Sequence, residues 1–156
     1  LLLNTIMDNL IITLLGGFLY LIVGVLLFIM NLALFEWWTP FDSKEALFRV
    51  QNKAIAEIIK GNLIGQGIII GAVIFFTGYT PDHEFLQPAV FLRSIGLTIF
   101  FGMMGMFAHN LLLWCVMQIK PIEKELIIDK NEAVGTVLGA LIIAFSIILS
   151  IAFYSY

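Results

Sequence analysis

Four long apolar runs, at residues 10–38, 61–79, 95–117 and 133–154, constrain this chain more than any other feature. Crossing the ~30 Å hydrocarbon layer takes ~20 residues of helix, and each run is about that length or longer. Only helices and closed barrels satisfy every backbone group without water, and continuous rather than alternating apolar sequence selects helices. The composition agrees: 61% of residues are hydrophobic and 12% charged, far from the balance of a soluble domain. The expected fold is therefore all-α and membrane-integral, a single four-helix domain covering residues 1–156.

The positive charges suggest an orientation. Lys44, Arg49, Lys53 and Lys60 lie between the first two runs or at their border, and Lys120, Lys124 and Lys130 lie between the last two. Arg93 alone lies elsewhere. By the positive-inside rule both basic connections face the cytoplasm and both termini lie outside, which in a bacterial inner membrane is the periplasm. A net charge of −3 gives no reason to expect nucleic-acid binding. The single cysteine, Cys115, excludes an internal disulfide. A chain that begins with Leu1 rather than Met is expected to be a fragment or a product of processing.

A shift of 79 residues superposes two landmarks. Asn31 and the four residues after it fall on Asn110 and its followers, and Leu47 through Ala56 fall on Leu126 through Gly135. Thr39-Pro40 and Lys120-Pro121 close the first helix of each half, two residues out of register. The expected architecture is a parallel tandem repeat of two helical hairpins, residues 10–79 and 92–156, about an axis along the membrane normal. Asn52 and Asn131 mark the start of the second helix in each unit. Asn31 and Asn110 then lie at one depth, where either each bonds its own backbone or water, or the two face the repeat axis and meet.

With these motifs the chain resembles the YjfL-like inner-membrane proteins, domain of unknown function family 350. The resemblance is carried by Thr39-Pro40, by Asn52-Lys53-Ala54-Ile55-Ala56 with Gly61 and Gly65, by Lys120-Pro121, and by Asn131-Glu132-Ala133-Val134-Gly135 with Gly139. It implies a duplicated two-helix unit without an established activity, associated with membrane-stress and membrane-remodelling proteins of the phage-shock type. Glu57 and Lys60 depart from the pattern, since the family usually has apolar or small residues there.

Small residues four apart let helix backbones approach closely in lipid. Gly61 with Gly65, Gly67 with Gly71, and Gly135 with Gly139 have this spacing, and Ser146 with Ser150 continues it. These pairs make the second and fourth helices the expected packing elements, within the bundle or between subunits. The polar candidates inside the spans are Asn31, Asn62, Gln66, His109 and Asn110. His109 reads first as a neutral, hydrogen-bonded residue, with a proton relay or gating role, or metal or haem ligation, as the alternatives. Asp82, His83 and Glu84 are consecutive, so their side chains diverge, and a solvated loop is expected rather than a metal site. Trp37, Trp38, Tyr154 and Tyr156 sit where amphipathic rings anchor at headgroups.

Catalytic signatures are missing from the sequence. It has no phosphate-cradling glycine loop and no His-Glu-x-x-His, and Ser146 and Ser150 have no recognisable spacing to His109. The expectation is a non-catalytic polytopic protein needing no cofactor. Its partners would be the lipid bilayer and copies of itself or a larger inner-membrane complex. The alternative is an oligomeric channel or transporter for ions or small solutes, which the scarcity of charge at mid-span disfavours.

Glu45, Arg49, Lys53 and Glu57 recur every four residues, with Lys60 three further on, and predict one amphipathic helix running from the connection into the second span. The apolar run alone would begin that span at Gly61, whereas alignment with Ala133 begins it at Ala54. Either start leaves Glu57 and Lys60 in the interfacial zone, where Lys60 can snorkel to headgroups. Replacing both, Glu57→Gln with Lys60→Met, is predicted to leave membrane insertion intact, as read by the carbonate-resistant membrane fraction. Lost assembly would indicate a partner contact instead, and altered permeation a gate.

Overall fold

The computed structural model describes residues 2–78 and 88–154. Along the chain these form α1 (Leu2–Trp38), a turn of π-helix (Glu45–Arg49), α2 (Lys53–Gly78), α3 (Pro88–Met117), α4 (Lys120–Ile127) and α5 (Glu132–Tyr154). Four of the helices are long and apolar enough to cross a membrane, over Thr13–Trp38, Lys53–Thr77, Ala89–Met117 and Glu132–Phe153. At ~1.5 Å per residue the 37 residues of α1 extend about 55 Å, so this helix projects beyond any ~30 Å layer. The loop carrying Asp82, His83 and Glu84, and the side chains of Tyr154 and Tyr156, lie outside the described residues.

The second span begins at Lys53, well before the apolar run starts at Gly61, so Glu57, Lys60 and Asn62 are all within the helix. The single amphipathic helix expected from Glu45 to Lys60 is instead interrupted. Gln51 takes a left-handed backbone conformation, φ 53°, which ends the π-turn. Asn52 then caps α2, its Oδ1 accepting from the Ala54 and Ile55 amides at 3.0 and 3.3 Å. The Glu45–Arg49 pair survives the break at 3.4 Å, on an exposed surface.

The other Lys-rich connection has the same local construction 79 positions on. Lys130 is left-handed at φ 49°, and Asn131 Oδ1 accepts from the Ala133 and Val134 amides. The Asn52 amide donates to the Ala46 carbonyl and the Asn131 amide to the Glu125 carbonyl, both at 2.8 Å. The two sites differ in one bond. Asn52 Nδ2 reaches across to the Leu126 carbonyl on α4 at 2.8 Å, whereas Asn131 Nδ2 stays local, on Glu125 Oε2 at 2.7 Å. This leaves Asn52 buried and ties α4 over the start of α2.

Helices α2 and α5 run parallel, and their backbones nearly touch. A Cβ on Gly61 would lie 2.5 Å from the Gly139 Cα, and one on Gly135 would lie 2.6 Å from the Ala54 Cα. One on Gly139 would meet the Glu57 carbonyl oxygen at 2.6 Å, and one on Gly65 the His109 Cε1 at 2.7 Å. These four glycines therefore pack inside the bundle. Gly67 and Gly71 do not, because nothing lies within 4 Å of a Cβ at either. At the α4 end, Phe35, Ala54, Ile58, Leu113, Met117, Leu126, Leu138 and Ile142 close an apolar core. Further along, Leu27, Ile69, Val73 and Met106 close another apolar layer.

Gly61→Ala and Gly135→Ala are predicted to lower thermal stability in mild detergent, each by about 1–3 kcal/mol, the usual cost of overpacking against a neighbour that cannot yield. Gly67→Ala should be neutral or stabilising, since alanine is the better helix former and meets nothing there.

Candidate polar site inside the bundle

Between the two apolar layers all four long helices contribute polar side chains to one network. α1 supplies Asn31, α2 supplies Asn62, α3 supplies His109 and Asn110, and α5 supplies Ser146, each at most 1% exposed. Three side-chain amides form a closed ring. Asn31 Nδ2 donates to Asn62 Oδ1 at 2.7 Å, Asn62 Nδ2 to Asn110 Oδ1 at 3.3 Å, and Asn110 Nδ2 to Asn31 Oδ1 at 2.7 Å. Asn31 and Asn110 thus meet each other rather than each turning only to its own helix.

A backbone group sets the direction of the ring. Asn110 Nδ2 also donates to the Met106 carbonyl at 2.9 Å, one turn back on α3. A carbonyl only accepts, so the Asn110 nitrogen must face it, and the orientations of Asn31 and then Asn62 follow. Asn62 consequently presents its second N–H to His109 Nε2 at 3.1 Å. That nitrogen is therefore the acceptor, and the imidazole hydrogen sits on Nδ1, 2.7 Å from Ser146 Oγ. Ser146 passes its own hydrogen to the Ile142 carbonyl at 2.9 Å. Direction thus runs unbroken from one backbone carbonyl to another through five side chains.

His109 and Ser146, which show no recognisable spacing in the sequence, are direct partners. A serine nucleophile needs a histidine that accepts its proton, but here the histidine donates to the serine. The third group that would orient such a base is also lacking: Nε2 faces an amide N–H, not a carboxylate. Among the described residues no three of His, Cys, Asp and Glu are grouped so as to hold a metal ion.

The other expected site residues are dispersed. Gln66, one turn beyond Asn62, is fully buried, and neither atom of its amide has a partner among the described residues. Glu57 and Lys60 pair at 2.5 Å on the partly exposed flank of α2, away from the network. Lys53 reaches Glu132 at 3.8 Å, an exposed pair linking the starts of α2 and α5. Trp38 packs edge-on against Phe107 at 4.9 Å, while Trp37 is exposed. Ser146 is the participant the sequence did not single out for this site. Its signal was there, because Gly135, Gly139, Ile142, Ser146 and Ser150 mark one buried stripe on α5.

A family model described as Domain of Unknown Function (DUF350) matches residues 6–153. Neither the curated proteins nor the solved structures contain a match to the chain.

The hydrogen-bond directions predict a pyrrole-type Nδ1 and a pyridine-type Nε2 for His109. Nitrogen-15 NMR of the protein in lipid bilayers at neutral pH reads this directly. Asn62→Leu removes the donor to Nε2 and should yield a mixture of the two tautomers.

Proposed function

The chain belongs to the DUF350 family, and from the way its interior is closed we propose that it is a non-catalytic, self-associating subunit of the bacterial inner membrane. The observation that carries this reading is the contrast between its glycine faces. Gly61, Gly65, Gly135 and Gly139 are consumed inside the bundle, while Gly67 and Gly71 stand one turn apart on α2 with open space before them. In lipid, helix association is driven by close packing of small residues, so the open pair is the contact offered to a second copy.

The interior argues against a path through one bundle. Of the polar groups that would line it, Asn31, Asn62, His109 and Asn110 bond one another, and buried apolar layers lie on both sides: Ile58 and Leu113 towards α4, Ile69 and Val73 away from it. The buried Ser–His pair is directed the wrong way for a nucleophile, which supports the absence of catalysis. On this reading the two hairpins are copies of one unit. The Lys-rich connections containing the π-turn and α4 face the cytoplasm, both termini face the periplasm, and membrane stress or remodelling is the setting.

Single-molecule photobleaching of the labelled protein in native-membrane nanodiscs tests self-association. More than one copy per disc is expected for the unaltered protein, and Gly71→Leu should shift the distribution to one copy without loss of thermal stability. A single copy throughout, with no partner recovered by cross-linking, would overturn the proposal.

A further inference from the structure

Among the described residues, Gln66 is the one buried side-chain amide without a hydrogen-bond partner. It is 0% exposed, and both its Oε1 and Nε2 lack a partner among the described residues. A primary amide offers two donor hydrogens and two acceptor lone pairs, so four bonding positions are unspent at once. Buried polar groups nearly always find a partner, either protein or ordered water, and in a hydrocarbon layer no bulk water is near.

A second unspent position lies close by. Asn31 Nδ2 carries two hydrogens, of which one bonds Asn62. Asn62 and Asn110 each commit both of theirs, to His109 and Asn110 and to Asn31 and Met106 respectively. The ring therefore has one N–H to spare, on Asn31, besides the second lone pairs of its oxygens. Gln66 lies four residues beyond Asn62 on the same face of α2, a separation of ~6 Å along the helix. A water bridging two polar atoms through bonds of ~2.8 Å each spans up to ~5.6 Å, within the reach of side chains that start one turn apart. The surroundings would hold it in place: Leu27, Ile69, Val73 and Met106 are all at most 3% exposed and seal the far side.

We propose that Gln66 holds one ordered water molecule inside the membrane-spanning bundle, seated between its own amide and the asparagine ring. The water accepts from Asn31 Nδ2 and from Gln66 Nε2 and donates its hydrogens to ring oxygens; with the amide turned over it accepts from Asn31 and donates to Gln66 Oε1, so either face of the Gln66 amide can anchor it. The ring and Gln66 then form one hydrated polar site reaching from α1 to α2, isolated from both aqueous faces.

Water-edited solid-state NMR of the labelled protein in lipid bilayers tests this. The Gln66 side-chain amide, assigned by its loss in Gln66→Met, should receive water magnetisation well before the Ile69 and Val73 methyls, with the exposed Gln118 as the fast reference. Build-up at Gln66 no faster than at Val73 would overturn the proposal, whether the amide is dry and unpaired or bonded directly to Asn31. Thermal unfolding supplies a second readout. Gln66→Met should lower the midpoint, because it removes the water's anchor and strands the Asn31 N–H. A raised midpoint would mean that the native amide is dry, and would also overturn it.

Discussion

An amide within a hydrocarbon layer has only other protein groups, or water trapped beside it, to bond with. That constraint organises the middle of this bundle. Asn31, Asn62 and Asn110 come from three helices, and the ring closes only when all three are at the same depth. Individual intramembrane hydrogen bonds are worth little, ~0.6 kcal/mol on average, so the ring contributes modestly to the total stability. Its contribution is to register. Sliding α1 against α2 and α3 by a single turn of ~5.4 Å would break both ring bonds of Asn31 at once, and with them one acceptor of Asn110's amide and the donor to Asn62.

Register alone would not bring the helices close enough, and here the glycines matter. With no Cβ at Gly61, Gly135 and Gly139, α5 settles directly on the α2 backbone. Gly65 does the same for the site itself, because its bare Cα leaves room for both the His109 ring and Ser146. The packing of α2 against α5 and the extension of the network to the fourth helix are therefore one event. Apolar burial at the α4 end, around Ile58 and Leu126, supplements it from outside the polar layer.

Much of this was legible in sequence, and the exceptions have identifiable causes. The spans followed from hydropathy, and Asn31 could be set opposite Asn110 because a 79-residue offset relates them. Asn62 has no such guide: the same offset falls on Leu141, which is exposed. Glycine spacing identified small faces but not their direction. Gly61 and Gly67 are six residues apart, which places them about 120° from one another around the helix, so one pair turns inward and the other outward. The amphipathic reading of Glu45 through Lys60 failed because Arg49 and Lys53 keep a four-residue spacing across a left-handed residue that ends one helix before the next begins.

The two connections show how a shared local design acquires different roles. Gln51-Asn52 and Lys130-Asn131 have the same left-handed residue and the same asparagine cap. Yet only Asn52 spends its remaining N–H on another element, the carbonyl of Leu126. That bond draws α4 over the start of α2 and buries Leu126 completely, while Phe48, in the π-turn of the first connection, remains exposed. Helix α2 also carries the Glu57–Lys60 pair, and the residues 79 positions on are Thr136 and Gly139. Glycine at 139 is required by the Glu57 carbonyl that presses on it, so a lysine there would drive α5 away from α2. A charge at Lys60 is tolerated because that position looks outward. The asymmetry of the charges thus follows from the close contact of α2 and α5, which allows a large side chain on only one of the two.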